Sequence, residues 1–280
     1  MSGASIRRLV VLAACQIAAG AFPSAAQGLL QKGIRPDQLG LSSLYSSLAL
    51  PGGDLVAFGR DSGLKGLLVL LRSGQGDPLV LAEIGAGEAS QIRQPDLAAI
   101  GAFPIDSANR QTGIVLLYER DDSTPYWDQS ETGVVAVATG KTGAVHSTAV
   151  KKVAFTSIAL KGRDSEPSRW ENPGGASDDP ALASDPPAKR SRVGAASFDV
   201  DGDGSQDLLL WIDSCVSVPK GAAATPGADC PSGFSRQPVR ALWMRFDPQA
   251  EVFAEPKPLE NPPVRSGPEI VVGDPLENLE

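Results

Sequence analysis

Histidine occurs once in the 280 residues, at His146, and no G-x-S-x-G pentapeptide is present. A Ser-His-Asp hydrolase would have to rely on that one imidazole without a nucleophile elbow to serve it, which speaks against this class. Cysteine is nearly as scarce, with three in the chain, and these and the one histidine show none of the close spacing of zinc ligands. Nucleotide loops are missing too. Gly140-Lys141-Thr142 has Val135 where a phosphate loop needs glycine, and Gly85-Ala86-Gly87 lacks its third glycine. No apolar run reads as a membrane span, the longest candidate, Leu9 to Ala19, being short and alanine-rich. Positive charge is in deficit, at a formal net charge of −8. Nucleic acid and anionic membrane surfaces are therefore poor partners.

Glycine (30) and proline (23), by contrast, are plentiful. With short apolar runs between them they favour many short strands and turns over long helices. Strands are expected at Asp54–Phe58, Leu67–Leu71, Leu79–Ile84, Asp96–Ala102, Ile114–Tyr118, Val134–Ala138, Val145–Val150, Val153–Leu160, Leu208–Ile212 and Val239–Phe246, with a short one at Glu269–Val272. Aspartate-bearing turns recur at 61, 106 and 199, a step of 45 residues and then about twice that. A period near 45 suits a four-stranded blade. The expected architecture is all-β, a β-propeller-like array of about five four-stranded units, with a β-sandwich as the alternative.

Residues 1–26 read as a signal peptide: Arg7 and Arg8, an apolar stretch, then Ser24-Ala25-Ala26 before Gln27. Their removal takes away two cations and no acid, so −8 becomes −10. In the alternative, Leu12-Ala13-Ala14-Cys15 is a lipobox, and Cys15 carries a lipid that anchors the protein to a membrane. Both place the mature chain outside the cytoplasm, secreted or periplasmic. There, Cys215 and Cys230 are expected to pair as a disulfide. The repeat domain spans 27–255. It is interrupted by an exposed loop at 162–192, rich in Asp, Pro and Ser, and by an insertion at 214–237 that the disulfide staples. A proline-rich acidic tail, 256–280, follows. Tyr126 and Trp127, set among Asp121, Asp122 and Asp128, are candidate ligand-binding aromatics.

One stretch names a chemistry. From Asp199 to Asp207 the chain reads DVDGDGSQD and runs at once into LLLWI. Aspartates at loop positions 1, 3, 5 and 9, and a backbone carbonyl at position 7 (Ser205), are what a hard cation with six to eight oxygen ligands requires. Gly202 and Gly204 supply the left-handed backbone of such a curl. Each carboxylate pair repels by on the order of 1 kcal/mol at about 5 Å in water-like dielectric, so a dication is a natural resident. Position 12 is Leu210 where an EF-hand needs glutamate, and the flanks read as strands.

From Phe198 to Leu208 the sequence FDVDGDGSQDL resembles the loop of FG-GAP/VCBS-type repeats, the calcium-bearing units of integrin-α-like β-propellers. The resemblance implies calcium on Asp199, Asp201, Asp203 and Asp207, with Ser205 giving its carbonyl. The function expected is that of an exported, non-enzymatic calcium-binding repeat protein, its calcium structural, that binds a protein or glycan through loops. The alternatives are an exported glycoside or ester hydrolase using a carboxylate pair, and an accessory subunit of an envelope complex.

Overall fold

The computed structural model describes residues 34–74, 76–92, 98–106, 111–121, 123, 127–139, 145–160, 189–218, 230, 234–263 and 270–273. The expected leader, Cys15 and Tyr126 lie outside them.

The fold is all-β and antiparallel. Four strands, β1 (Ser43–Ala49), β2 (Leu55–Arg60), β3 (Gly66–Leu71) and β4 (Leu79–Ile84), form a meander in chain order. A helical turn, Ala86–Ala89, leads out of it. The Arg60 guanidinium fastens that turn by donating to the Ala89 and Ile92 carbonyls.

Next come β5 (Ala98–Asp106), β6 (Gln111–Asp121), β7 (Trp127–Thr139), β8 (Val145–Leu160), β9 (Lys189–Phe198) and β10 (Asp207–Ser217), a second sheet in which each strand after β5 pairs with the one before. Beyond β10 the same ten-stranded sheet takes in β11 (Phe234–Arg236), β12 (Arg240–Met244) and β15 (Lys257–Leu259). The strands β13 (Phe246–Asp247) and β14 (Val252–Phe253) make a two-stranded ribbon, and β16 (Ile270–Gly273) pairs with β9. Among the described strands no sheet closes on itself.

Burial explains the uninterrupted apolar runs. Alternate residues of β6 face opposite ways. Ile114, Leu116 and Tyr118 pack with Val56, Phe58, Leu68 and Leu70 of the meander. Val115 and Leu117 pack with Val193, Leu208, Leu210 and Ile212 of β9 and β10. So β5 to β7 form a middle layer covered on both sides, and a strand buried on both faces has no polar alternation. The far face of the meander is also covered, where Leu55, Ala57 and Val69 meet Leu39 and Leu41 of the lead-in.

Glycines let side chains and backbone of neighbouring strands lie close within the sheets. A Cβ on Gly133 would lie 2.4 Å from the Tyr118 ring, and one on Gly59 would lie 2.0 Å from the Ser43 carbonyl oxygen.

Several expectations change. Among the described strands one four-stranded unit is present, β1–β4, and the others do not divide into further units of four. The turn aspartates do not mark equivalent places: Asp61 closes the β2–β3 turn by accepting from the Lys65 amide, whereas Asp106 is the last residue of β5. The stretch read as loop to Arg192 is already strand from Lys189, because in-register pairing with β10 outweighs its cationic, unpatterned sequence. Both ends of the 214–237 insertion are strand, in β10 and β11. Within the expected tail, β15 and β16 join the large sheet.

Cys215 and Cys230 are disulfide-bonded across 15 residues, beside buried Phe234. Reducing this bridge, or replacing both cysteines with alanine, is expected to lower stability by about 3 kcal/mol, read by urea unfolding with and without reductant.

Candidate metal centre

The loop 199–206 joins two strands in continuous register, from Asp207 opposite Phe198 to Val216 opposite Lys189. Asp199 follows the last residue of β9 and Asp207 is the first of β10, so the strands themselves set the distance between the outer loop acids. The turn is made by two left-handed glycines, Gly202 at φ +76° and Gly204 at φ +90°. Aspartate side chains then wire the backbone. Asp199 accepts from the Gly202 amide at 2.8 Å and the Gly204 amide at 3.1 Å. Asp201 accepts from the Asp203 amide at 3.3 Å, and Asp203 from the Ser205 amide at 2.8 Å. The Gln206 amide donates to the Ile105 carbonyl, tying the loop to the end of β5.

Three of the expected residues come together. Asp199, Asp201 and Asp207 each present a carboxylate oxygen within 4.8 Å of the others. Calcium binds oxygens at about 2.3–2.6 Å, so its ligands lie at most about 5 Å apart, and the trio fits such an ion in both chemistry and span. Asp203 stands outside the trio. Its free oxygen and one of Asp201 face the Arg245 guanidinium, with Nε to Asp201 at 2.7 Å and Nη2 to Asp203 at 3.5 Å. Ser205 is half-buried in the same turn.

Asp207 differs from the rest in being 1% exposed. Its Oδ1 accepts from the Phe246 amide at 2.8 Å and its Oδ2 from the Val200 amide at 3.2 Å. Burial pushes its carboxyl above the ordinary value against the pull of these two donors, and the Asp201 charge adds to the rise. A dication beside it would offset that cost.

Arg245 and Phe246 were not singled out from sequence, although the one signal for Arg245 is plain enough: a cation inside an otherwise apolar WMRF run. Trp127 opens β7, opposite Leu160. A cavity of about 140 Å³ lies beside the loop's strands, lined by Ile100, Phe103, Val115, Leu208 and Ile270 and by no carboxylate. Two acids away from the loop are fully buried among the described residues: Glu131, held between Arg120 and Lys152, and Asp213, which faces Arg192 and Arg236. No family model matches the chain, nor does any curated protein or solved structure.

Proposed function

We propose that this is an exported calcium-binding β-protein in which the ion at Asp199, Asp201 and Asp207 is a structural staple, and whose loops bind a protein or glycan. The convergence of these three carboxylates at a hairpin between paired strands carries the reading. The composition of the loop and its resemblance to FG-GAP/VCBS-type repeats support calcium over other cations. The Cys215–Cys230 disulfide is in keeping with an oxidising compartment outside the cytoplasm. No helix among the described residues is long and apolar enough to cross a membrane. The layered packing supports a sandwich-like arrangement of sheets. The β1–β4 meander is the feature that supports a propeller-like unit.

Titration of calcium into chelated protein is expected to raise the melting temperature, with about 2.7 kcal/mol gained at a hundredfold excess over Kd. Asp201→Ala is expected to abolish the shift. Asp203→Ala, which removes an acid outside the trio, is expected only to weaken it. A parent protein whose melting temperature ignores calcium would sink the assignment.

A further inference from the structure

The acids of the loop already have a cation of their own. We propose that Arg245 is the built-in counter-ion of the metal-free loop and that a divalent ion entering the trio displaces it from Asp201; this rests on the calcium reading above.

Asp201 is the shared residue. It belongs to the carboxylate trio, yet one of its oxygens takes the Arg245 Nε–H at 2.7 Å and the other takes the Asp203 amide. Asp203 leans the same way, toward Nη2. The Arg245 side chain is half exposed, but the backbone that carries it is pinned on both sides. The Ala254 amide donates to the Arg245 carbonyl at 2.8 Å, and the next amide, of Phe246, is the one held by Asp207. The corner after β12 therefore presents one arginine to the loop and anchors one loop ligand at the same time.

A dication and a guanidinium sharing one carboxylate repel each other, and this repulsion sets the cost of occupying both places. In the metal-free state the guanidinium relieves the mutual repulsion of Asp201 and Asp203. In the loaded state it must give way, so Arg245 sets the concentration at which the loop fills. Removing it lowers calcium dissociation while loosening the empty loop, two effects of opposite sign.

The test uses the full chain with Arg245→Gln at fixed ionic strength, with calcium as the probe. Calorimetric titration is expected to show calcium bound about threefold to tenfold more tightly than in the parent, on the scale of an exposed ion pair with two arms. In chelator, amide hydrogen exchange at Gly202, Gly204 and Ser205 is expected to quicken in the variant. Calcium bound by Arg245→Gln with unchanged or lower affinity overturns the displacement while leaving the site intact. A parent that binds no calcium removes both the site and this role. If the variant does not fold, the parent's own Arg245 Nε–H resonance decides: it is expected to move as calcium saturates, and a resonance that stays fixed overturns the proposal.

Discussion

Asp207→Ala, measured in chelator, is expected to cost the fold about 3 to 4 kcal/mol. The carboxylate satisfies the Phe246 amide, whose residue is fully buried, and the Val200 amide. Truncation leaves both donors without an acceptor, at roughly 1 to 3 kcal/mol for each that stays buried. Asp207→Asn keeps one acceptor oxygen and no charge, so it is expected to lose less than half as much. The comparison separates two roles. If Asp207 were only a metal ligand, then in chelator its removal would relieve repulsion and leave stability equal or higher. Urea unfolding of the three proteins decides.

The pH dependence has a definite sign. The folded-state pKa of Asp207 is raised by burial, so the folded protein holds that proton more tightly than the unfolded chain. Its ionised form therefore works against folding at neutral pH. That cost disappears as the pH falls through the raised value, and the effect levels off below roughly 4, the ordinary carboxylate range. The gap between parent and Asp207→Ala should widen on acidification over this window.

Glu131→Ala is expected to cost about 3 to 5 kcal/mol without changing calcium affinity. Glu131 is fully buried where β7 is bulged on either side of it. One oxygen meets the Arg120 guanidinium at 2.5 Å and the other meets the Lys152 ammonium. Arg120 is itself largely buried, with Gln91 as its other side-chain partner at 3.1 Å. Removing the acid strands that guanidinium in low dielectric, the situation in which breaking a buried pair is most destabilising. Replacing both Arg120 and Glu131 with methionine removes the charge problem along with the pair, and is expected to restore most of the loss. A single variant within 1 kcal/mol of the parent in urea unfolding would show that the pair is not what secures this part of the middle layer.

The parts readable from sequence were those set by neighbours in the chain. The spacing of Asp199, Asp201 and Asp207 and the two glycines dictate the loop's curl locally, and the GIVLLY and LLLWI runs announce strands covered on both faces. Sheet membership was not readable, because it depends on pairings between distant segments. Lys189–Arg192 carry no strand pattern and become strand through register with β10. Lys151-Lys152 looked like an interruption between two strands, yet β8 runs through them, and Lys152 has its partner across the sheet in Glu131. The same limit hid the loop's environment. Nothing near Asp201 in sequence points to Arg245, and nothing near Asp207 points to the Phe246 amide.

The edge that β9 shares with β8 has a consequence for the order of assembly. β8 bonds β9 only at Lys189 and Arg190, and from Arg192 to Ala195 the same edge is taken by β16, whose Ile270 would meet a side chain added at Gly101 of β5. One edge of β9 from Arg192 to Ala195, the other being paired with β10, therefore stays open until the polypeptide has been made and released as far as Gly273. Such distant pairing is slow to form, and an open strand edge is sticky while it waits. A chain stalled or cut before residue 270 should hold the β9–β10 hairpin but expose that edge, and its fate would be self-association more than simple unfolding.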